Sequence, residues 1–472
     1  MTKTDLTGLL ALVSIALFVV GLKRLSKVRT ARTGNALMAA GMLLAVVITL
    51  LEIGLVDYRW IIGGLAIGGA IGVLIVIRAQ ATQMPEIVAR FNGFGGAASA
   101  LVAISLFWLE VVEEGGEVTA ASALGGTAAV TLVLSVLIGS STLSGSILAE
   151  LKLRGTISGT PAVPLRTGLM GLLAVGGLVL GGIAVFAIDD TALAAGLIIT
   201  LFVVSLLVGI VLVLPIGGAD MPVVISLLNS LSGLAAAATG FALAKPLLII
   251  AGTIVGAAGL ILTQIMCVAM NRSLINVIAG GYGGDGGGGE HGEYTNVVST
   301  DAESAAMVLE AAQSVIIVPG YGLAAARAQN AAHDLARALQ DRGVQVRFAI
   351  HPVAGRMPGH MNVVLAEAEV PYELLHEMSE INPEFAQTDV AIVVGANDVV
   401  NPAANDTPGS PIAGMPILDV EAARRVFVIK RSLSPGYAGI KNDLFERDHT
   451  VMLYGDAKAV LTDLTAELGA ND

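Results

Sequence analysis

Nine stretches of this chain, near residues 5–22, 34–55, 58–78, 87–112, 123–148, 167–188, 191–214, 221–243 and 247–269, are long and apolar enough to cross a bilayer. A helical span needs about 20 such residues. Inside hydrocarbon each backbone N–H and C=O must be satisfied within its own segment. The first half of the chain is therefore committed to a multi-pass helical bundle. Composition agrees: 55% of residues are hydrophobic, only 14% are charged, and the mean hydropathy is +0.79. Glycine, at 57 residues, is commoner in membrane helices than in soluble ones. The N-terminus lacks the basic flank and cleavage site of a signal peptide, so the first apolar segment is read as retained.

Loop charge sets the expected orientation. The first loop carries Lys23, Arg24, Lys27, Arg29 and Arg32. The third follows Arg78, the fifth carries Lys152, Arg154 and Arg166, and Arg272 follows the last span. Alternate loops are acidic or poor in basic residues, with Lys245 as an exception. The odd loops and the C-terminus are thus expected in the cytoplasm and the N-terminus outside. A net charge of −12 argues against nucleic acid as a partner. Cys267 reads as a small buried hydrophobe, and the six histidines show no metal-ligand spacing.

Polar residues within spans are costly and therefore informative. Asn92, Gly96 and Ser99 share one helical face, as do Ser226, Asn229 and Gly233. Ser140, Ser141 and Ser144 add to the fifth span. Two readings stand: a hydrated path between helices, or small-residue packing with hydrogen bonds across the interface. Asp220, just before the eighth span, reads as a helix N-cap or as a proton-exchanging group. Glu86 and Arg90 read as interfacial charges.

Gly280 to Gly289 reads GGYGGDGGGG, a run that cannot pack a core. It divides residues 1–279, a membrane domain, from residues 300–472, with 280–299 as linker. After it the composition becomes that of a soluble domain. Thr300 with Glu303 resembles a capping box opening a helix to about Ala312. Strands are expected at 314–318, 344–350, 389–394, 425–430 and 450–454, and helices at 322–341, 359–368, 372–381 and 456–468. Such alternation predicts a Rossmann-like α/β domain, a parallel sheet with helices on both faces, with ligands at the C-terminal strand ends.

The first strand runs into Gly320-Tyr321-Gly322-Leu323-Ala324-Ala325, a G-x-G-x-x-A turn. It fits the dinucleotide fingerprint, in which glycines admit the pyrophosphate and a helix N-terminus offers N–H groups to it. The second strand lacks the acid that would bind an NAD ribose and leads instead to Arg356. The third ends in Asn397-Asp398. The fourth ends in Lys430-Arg431-Ser432, a point charge, a planar fork and a hydroxyl suited to a phosphate monoester, or else a solvated basic turn. Together these favour NADP over NAD. Ser434 to Gly439, with Gly436 and Tyr437, reads as a lid or a plain turn. No catalytic triad, metal set or base pair stands out, as suits a reaction whose chemistry belongs to cofactors.

Long segments of the sequence resemble the beta subunit of proton-translocating nicotinamide nucleotide transhydrogenase. Among them are DMPVVISLLNSLSG (220–233), VPGYGLAAARAQ (318–329), HPVAGRMPGHMNVVLAEA (351–368), GANDVVNPAA (395–404), KRSLSPGYAGIKN (430–442) and GDAK (455–458). The resemblance implies reduction of NADP⁺ by NADH coupled to inward proton movement across a bacterial cytoplasmic (inner) membrane. It implies NADP(H) on this chain, NAD(H) on a separate alpha subunit, and a dimer of alpha–beta units in lipid. Gly320, Tyr321, Gly322 and Ala325 match the family's fingerprint turn, and Lys430 and Arg431 its 2′-phosphate pair. Ser432 and Asn397 accompany these at the strand ends. Arg356 matches an arginine near the phosphates, Gly436 and Tyr437 fall in the covering loop, and Asp398 matches an acid implicated in coupling. Asn229 and Asp220 match proton-path positions. Asn92 departs from relatives that carry histidine there. Asparagine does not titrate, so a His-centred relay gives way to a water chain or an acid elsewhere. A channel or transporter that senses NADP without hydride transfer is the alternative function.

Overall fold

The computed structural model describes residues 3–25, 28–53, 59–113, 118–157, 165–271, 273–278, 294–436 and 438–470. The chain divides into two compact units, Met1–Pro215 with Val224–Leu262, and Ile216–Val223 with Thr263–Asp472. Most of the expected linker, residues 280–293, lies outside the described residues.

Among the described residues nine helices are long and apolar enough to span a membrane. They are α1 (Lys3–Leu25), α2 (Val28–Ile53), α3 (Arg59–Arg78), α4 (Met84–Phe107), α5 (Gly126–Leu153), α6 (Arg166–Phe186), α7 (Thr191–Val213), α8 (Met221–Ala242) and α9 (Pro246–Ala269). Each falls on one of the nine apolar stretches.

Lipid tails are as apolar as leucine, so helices in a bilayer associate through close packing and hydrogen bonds. The first unit shows both. A Cβ placed on Gly96 of α4 would stand 2.5 Å from the Gly139 carbonyl oxygen of α5, and one on Gly139 would stand 2.5 Å from the Gly96 carbonyl oxygen. Gly233 of α8 meets Gly252 and Gly256 of α9 just as closely. Hydroxyls stitch the same helices. Ser135 and Thr239 lie 2.6 Å apart, and Ser135 also donates to the Ser99 carbonyl at 3.1 Å. Ser144 donates to Leu206 O at 2.7 Å, Ser141 to Ser205 O at 3.0 Å, and Ser226 to Gly259 O at 3.2 Å. For these side chains, packing with interhelical hydrogen bonds is the observed arrangement.

Charges cluster at helix ends. Arg90 pairs with both oxygens of the buried Glu150, and Arg154 bridges Glu150 at 2.8 Å and Glu86 at 3.3 Å. Glu86 and Arg90, expected as interfacial charges, are thus members of a four-residue network tying α4 to α5. The last carbonyls of α7 lack intrahelical partners. Arg166 donates to Leu212 O at 2.7 Å and Lys152 to Leu214 O, placing cations where the helix dipole is negative.

In the second unit six parallel strands lie in the order β3 (Leu375–Glu377), β2 (Gln345–Ile350), β1 (Ser314–Pro319), β4 (Val390–Val394), β5 (Arg425–Lys430), β6 (Thr450–Tyr454). Apart from the short edge strand β3, their apolar runs are largely buried, as parallel strands require. One face is covered by α10 (Ala302–Glu310), α12 (Gln329–Asp341) and α14 (Ala457–Ala470). The other is covered mainly by short helical turns that insert Phe385, Val420 and Phe445.

Three local expectations change. Residues 372–381 form no single helix: a turn at Tyr372–Leu374 leads into β3, then a four-residue helix. Pairing of Leu375, His376 and Glu377 with β2 overrides the helix propensity of this segment. The N-cap of α10 is Asp301, whose carboxylate accepts from Ser304 N at 2.9 Å, while Thr300 N donates to Met452 O. The helix expected over 322–341 is broken into α11 (Tyr321–Ala325) and α12 by Arg327, whose φ is +51°.

Gly96→Leu should destabilise the purified chain by about 1–3 kcal/mol, because the backbone oxygen it meets cannot yield without parting α4 from α5. Gly68→Leu on α3, where nothing lies within 4 Å, should stay within about 0.5 kcal/mol. Melting of both variants in one detergent checks this.

Candidate functional site

In this strand order the chain leaves β1 towards β2 on one side and β4 on the other. The C-terminal ends of β1 and β4 therefore flank the switch point, where a crevice is expected. A cleft of about 570 Å³ opens there. Gly320, Tyr321, Gly322, Ala325, Arg356, Asn397, Asp398, Lys430, Arg431, Ser432 and Gly436 all line it. Tyr437 lies outside the described residues. Asn92, Asn229 and Asp220 belong to the helical segments.

The glycine turn has a backbone reason for its composition. Gly320 N donates to Val394 O and Gly322 N to Gly395 O, each at 2.9 Å. A Cβ on Gly320 would stand 2.5 Å from Ala396 N, and one on Gly322 2.6 Å from Gly395 Cα. Gly395 itself adopts φ +66°. These glycines let the β1 turn rest directly on the end of β4. Helix α11 behind them has five residues, so the long helix N-terminus expected at the turn is not formed.

At the β5 end, Lys430 Nζ donates to Ser434 O at 2.9 Å and lies 5.0 Å from the Phe445 ring centroid. Burial lowers this ammonium to about 8, with the nearby Asp398 carboxylate acting in the opposite direction. Arg431 and Ser432 are exposed at the rim. Asp398 accepts from Ala438 N at 2.9 Å, and a Cβ on Gly436 would stand 2.6 Å from its Oδ2. The loop after β5 is thereby fastened to the end of β4.

Asn442 holds the far end of that loop. Its side chain is fully buried, donates to Asn397 O at 3.1 Å and accepts from Leu444 N at 3.0 Å. Ala438 and Ile440 of the loop pack on Ile412, Met415 and Ile417. Asn442 was not singled out from sequence, although Asn442-Asp443 two residues ahead of an apolar pair is a recognisable Asx-turn signal. Gly455 and Asp456 also line the cleft, and Asp456 accepts from Lys458 N at 3.0 Å at the start of α14.

On the β2 side the Arg356 guanidinium stands 4.4 Å from the Tyr321 ring centroid. Two buried histidines underlie this loop. His351 donates from Nε2 to Pro416 O at 2.8 Å and accepts at Nδ1 from Val353 N at 3.2 Å. His360 accepts at Nδ1 from Arg356 N at 3.0 Å. Burial lowers both to about 4, and the Arg356 charge adds to the effect at His360.

In the helical segments, Asn92 is buried and donates to the Ile225 carbonyl of α8 at 3.3 Å. Asn229 is half-buried on α8. Asp220 is buried as the last residue of a 3₁₀ turn, Gly218–Asp220, running directly into α8.

Among the described residues, nine helices of spanning length together with a six-stranded Rossmann-like sheet define a polytopic membrane protein with a dinucleotide-fold domain. A family model described as NAD(P) transhydrogenase beta subunit matches residues 7–467. Two curated relatives named NAD(P) transhydrogenase subunit beta, one from Rhodospirillum rubrum and one from a named strain of it, are each 48% identical over 458 residues, covering 96% of this chain and 97% of theirs. The chain belongs to the NAD(P) transhydrogenase beta subunit family.

The buried histidines predict a pH dependence. Folded, both rings stay neutral down to about 4; unfolded, they take up protons near 6.5. The unfolded state binds more protons between those values, so stability present above pH 6.5 is lost as pH falls towards 4. The melting temperature of the soluble-domain transition should drop over that window, and His351→Gln, which retains a donor for Pro416 O, should flatten the drop.

Proposed function

We propose that this chain is the NADP(H)-binding, proton-conducting subunit of an energy-coupled transhydrogenase. The observation that carries this reading is the convergence of Lys430, Arg431, Ser432 and Arg356 on one glycine-lined cleft at the sheet's switch point. Lys430, Arg431 and Ser432 grip the 2′-phosphate, and Arg356 faces the phosphates over Tyr321. Gly320, Gly322 and Ala325 admit the nucleotide's backbone, while Asn397, Asp398, Gly436 and Tyr437 close the site through the loop after β5. The nicotinamide supplies the carbon that takes up hydride from NADH held on an alpha subunit. The chain's own task is to bind and orient it and to exclude water.

Proton movement is assigned to the helical bundle. Asn92, Asn229 and Asp220 are the polar side chains proposed for its path, with the amides ordering water and Asp220 as the titrating member. The loop charges support an N-terminus outside and a nucleotide domain in the cytoplasm; the proposed setting is a bacterial inner membrane, in a dimer of alpha–beta units embedded in lipid. Asp398 fastens the loop that covers the nucleotide, which supports a role for it in passing redox state to that loop.

The full chain in lipid nanodiscs should bind NADPH at least tenfold more tightly than NADH. Lys430→Ala or Arg431→Ala should each weaken NADPH binding by about 10–100-fold, the size of one charge-assisted phosphate contact, and leave NADH binding nearly unchanged. Equal affinities, or indifference to both substitutions, would sink the assignment. Adding an NAD(H)-binding alpha subunit should then give stoichiometric hydride transfer; tight NADPH binding without transfer would mark a sensor.

A further inference from the structure

Resting on the reading of the cleft as the NADP(H) site, a further residue can be placed beneath it. His360 opens α13 (His360–Glu367) and is fully buried. Its Nδ1 accepts from the Arg356 backbone N–H at 3.0 Å, so the neutral ring carries its proton on Nε2. That Nε2 is buried with no hydrogen-bond partner among the described residues. Burying an unmatched N–H is unfavourable, and an apolar side chain of similar size would avoid it. What an imidazole contributes here is therefore the acceptor at Nδ1.

The surroundings show what that acceptor holds. Gly355 adopts φ +116°, and a Cβ on it would stand 2.5 Å from His360 Nδ1. The turn is thus pressed against the ring in a backbone conformation that favours glycine. The next residue, Arg356, places its guanidinium over the Tyr321 ring, whose centroid is 6.4 Å from that of His360. Arg356 and Tyr321 both line the cleft, whereas His360 does not.

We propose that His360 is a positioning residue for nucleotide binding: its Nδ1 fixes the Gly355–Arg356 turn so that the Arg356 guanidinium faces the cleft from above Tyr321. A bound phosphate meets a preset arginine, and less ordering is required on binding.

The test is a double-mutant cycle on the full chain in nanodiscs, read as the Kd for NADPH. His360→Leu should raise the Kd by about tenfold, roughly one lost oriented contact. His360→Asn, whose Oδ1 reproduces the Nδ1 acceptor, should stay within about threefold of the parent. His360→Gln, whose polar atoms reach the Nε2 position, should not rescue, so the Asn–Gln contrast stands even if His360→Leu folds poorly. In an Arg356→Ala background, His360→Leu should change the Kd less than about twofold. Equal losses in both backgrounds, equal behaviour of Asn and Gln, or no effect of His360→Leu would overturn the proposal while leaving the cleft assignment intact. An Arg356→Ala chain that binds NADPH normally would overturn both.

Discussion

The nucleotide-fold domain depends on one backbone contact, the seating of the Gly320–Gly322 turn on Gly395 and Ala396. No side chain fits between these segments, since a Cβ on Gly320 or Gly322 would meet backbone at 2.5–2.6 Å. Two N–H groups of the turn are spent on β4 carbonyls. Because β1 and β4 meet at the switch point, this contact sets the floor of the cleft and the spacing of all that stands around it. The glycines of the fingerprint are thus first a requirement of the sheet's own closure, and by the same absence of side chains they leave open the space above it.

The helical unit uses the same device in another solvent. Gly96 against Gly139, and Gly233 against Gly252 and Gly256, bring helix backbones together where water supplies no drive for association. Serine and threonine hydroxyls then donate to carbonyls of neighbouring helices, and Asn92 donates to Ile225 O. The polar faces that suggested a hydrated path are in large part interhelical fastening.

Around the cleft, charges are held by neutral partners. Lys430 is fixed by a carbonyl and an aromatic ring, Arg356 by Tyr321 and, through its backbone, by His360. Asp398 accepts from Ala438 N in the loop after β5, and its carboxylate acts on Lys430 against the effect of burial.

The sequence alone determined the nine spans found among the described residues, the sheet's parallel character and a part of the cleft's lining, including Gly320, Gly322, Arg356 and Lys430. Hydrophobic run length, strand-sized apolar segments and glycine turns are local signals with a direct physical cause. Only the tertiary structure decided where helix propensity yields, as at 372–381, where pairing with β2 makes Leu375–Glu377 a strand, and at Arg327, where the helix breaks. It also decided that Asp301 rather than Thr300 caps α10, because Thr300 is drawn to Met452. The long-range partners of Asn442 and Glu150, and the partner of His360, were likewise decided by the tertiary structure, although the local Asx turn at Asn442 has a sequence signal. Those partners lie 45 residues away for Asn442 and 60 for Glu150, or four residues away across a glycine turn for His360. A hydrogen bond or ion pair that depends on chain crossings leaves no periodicity or spacing in the sequence that forms it.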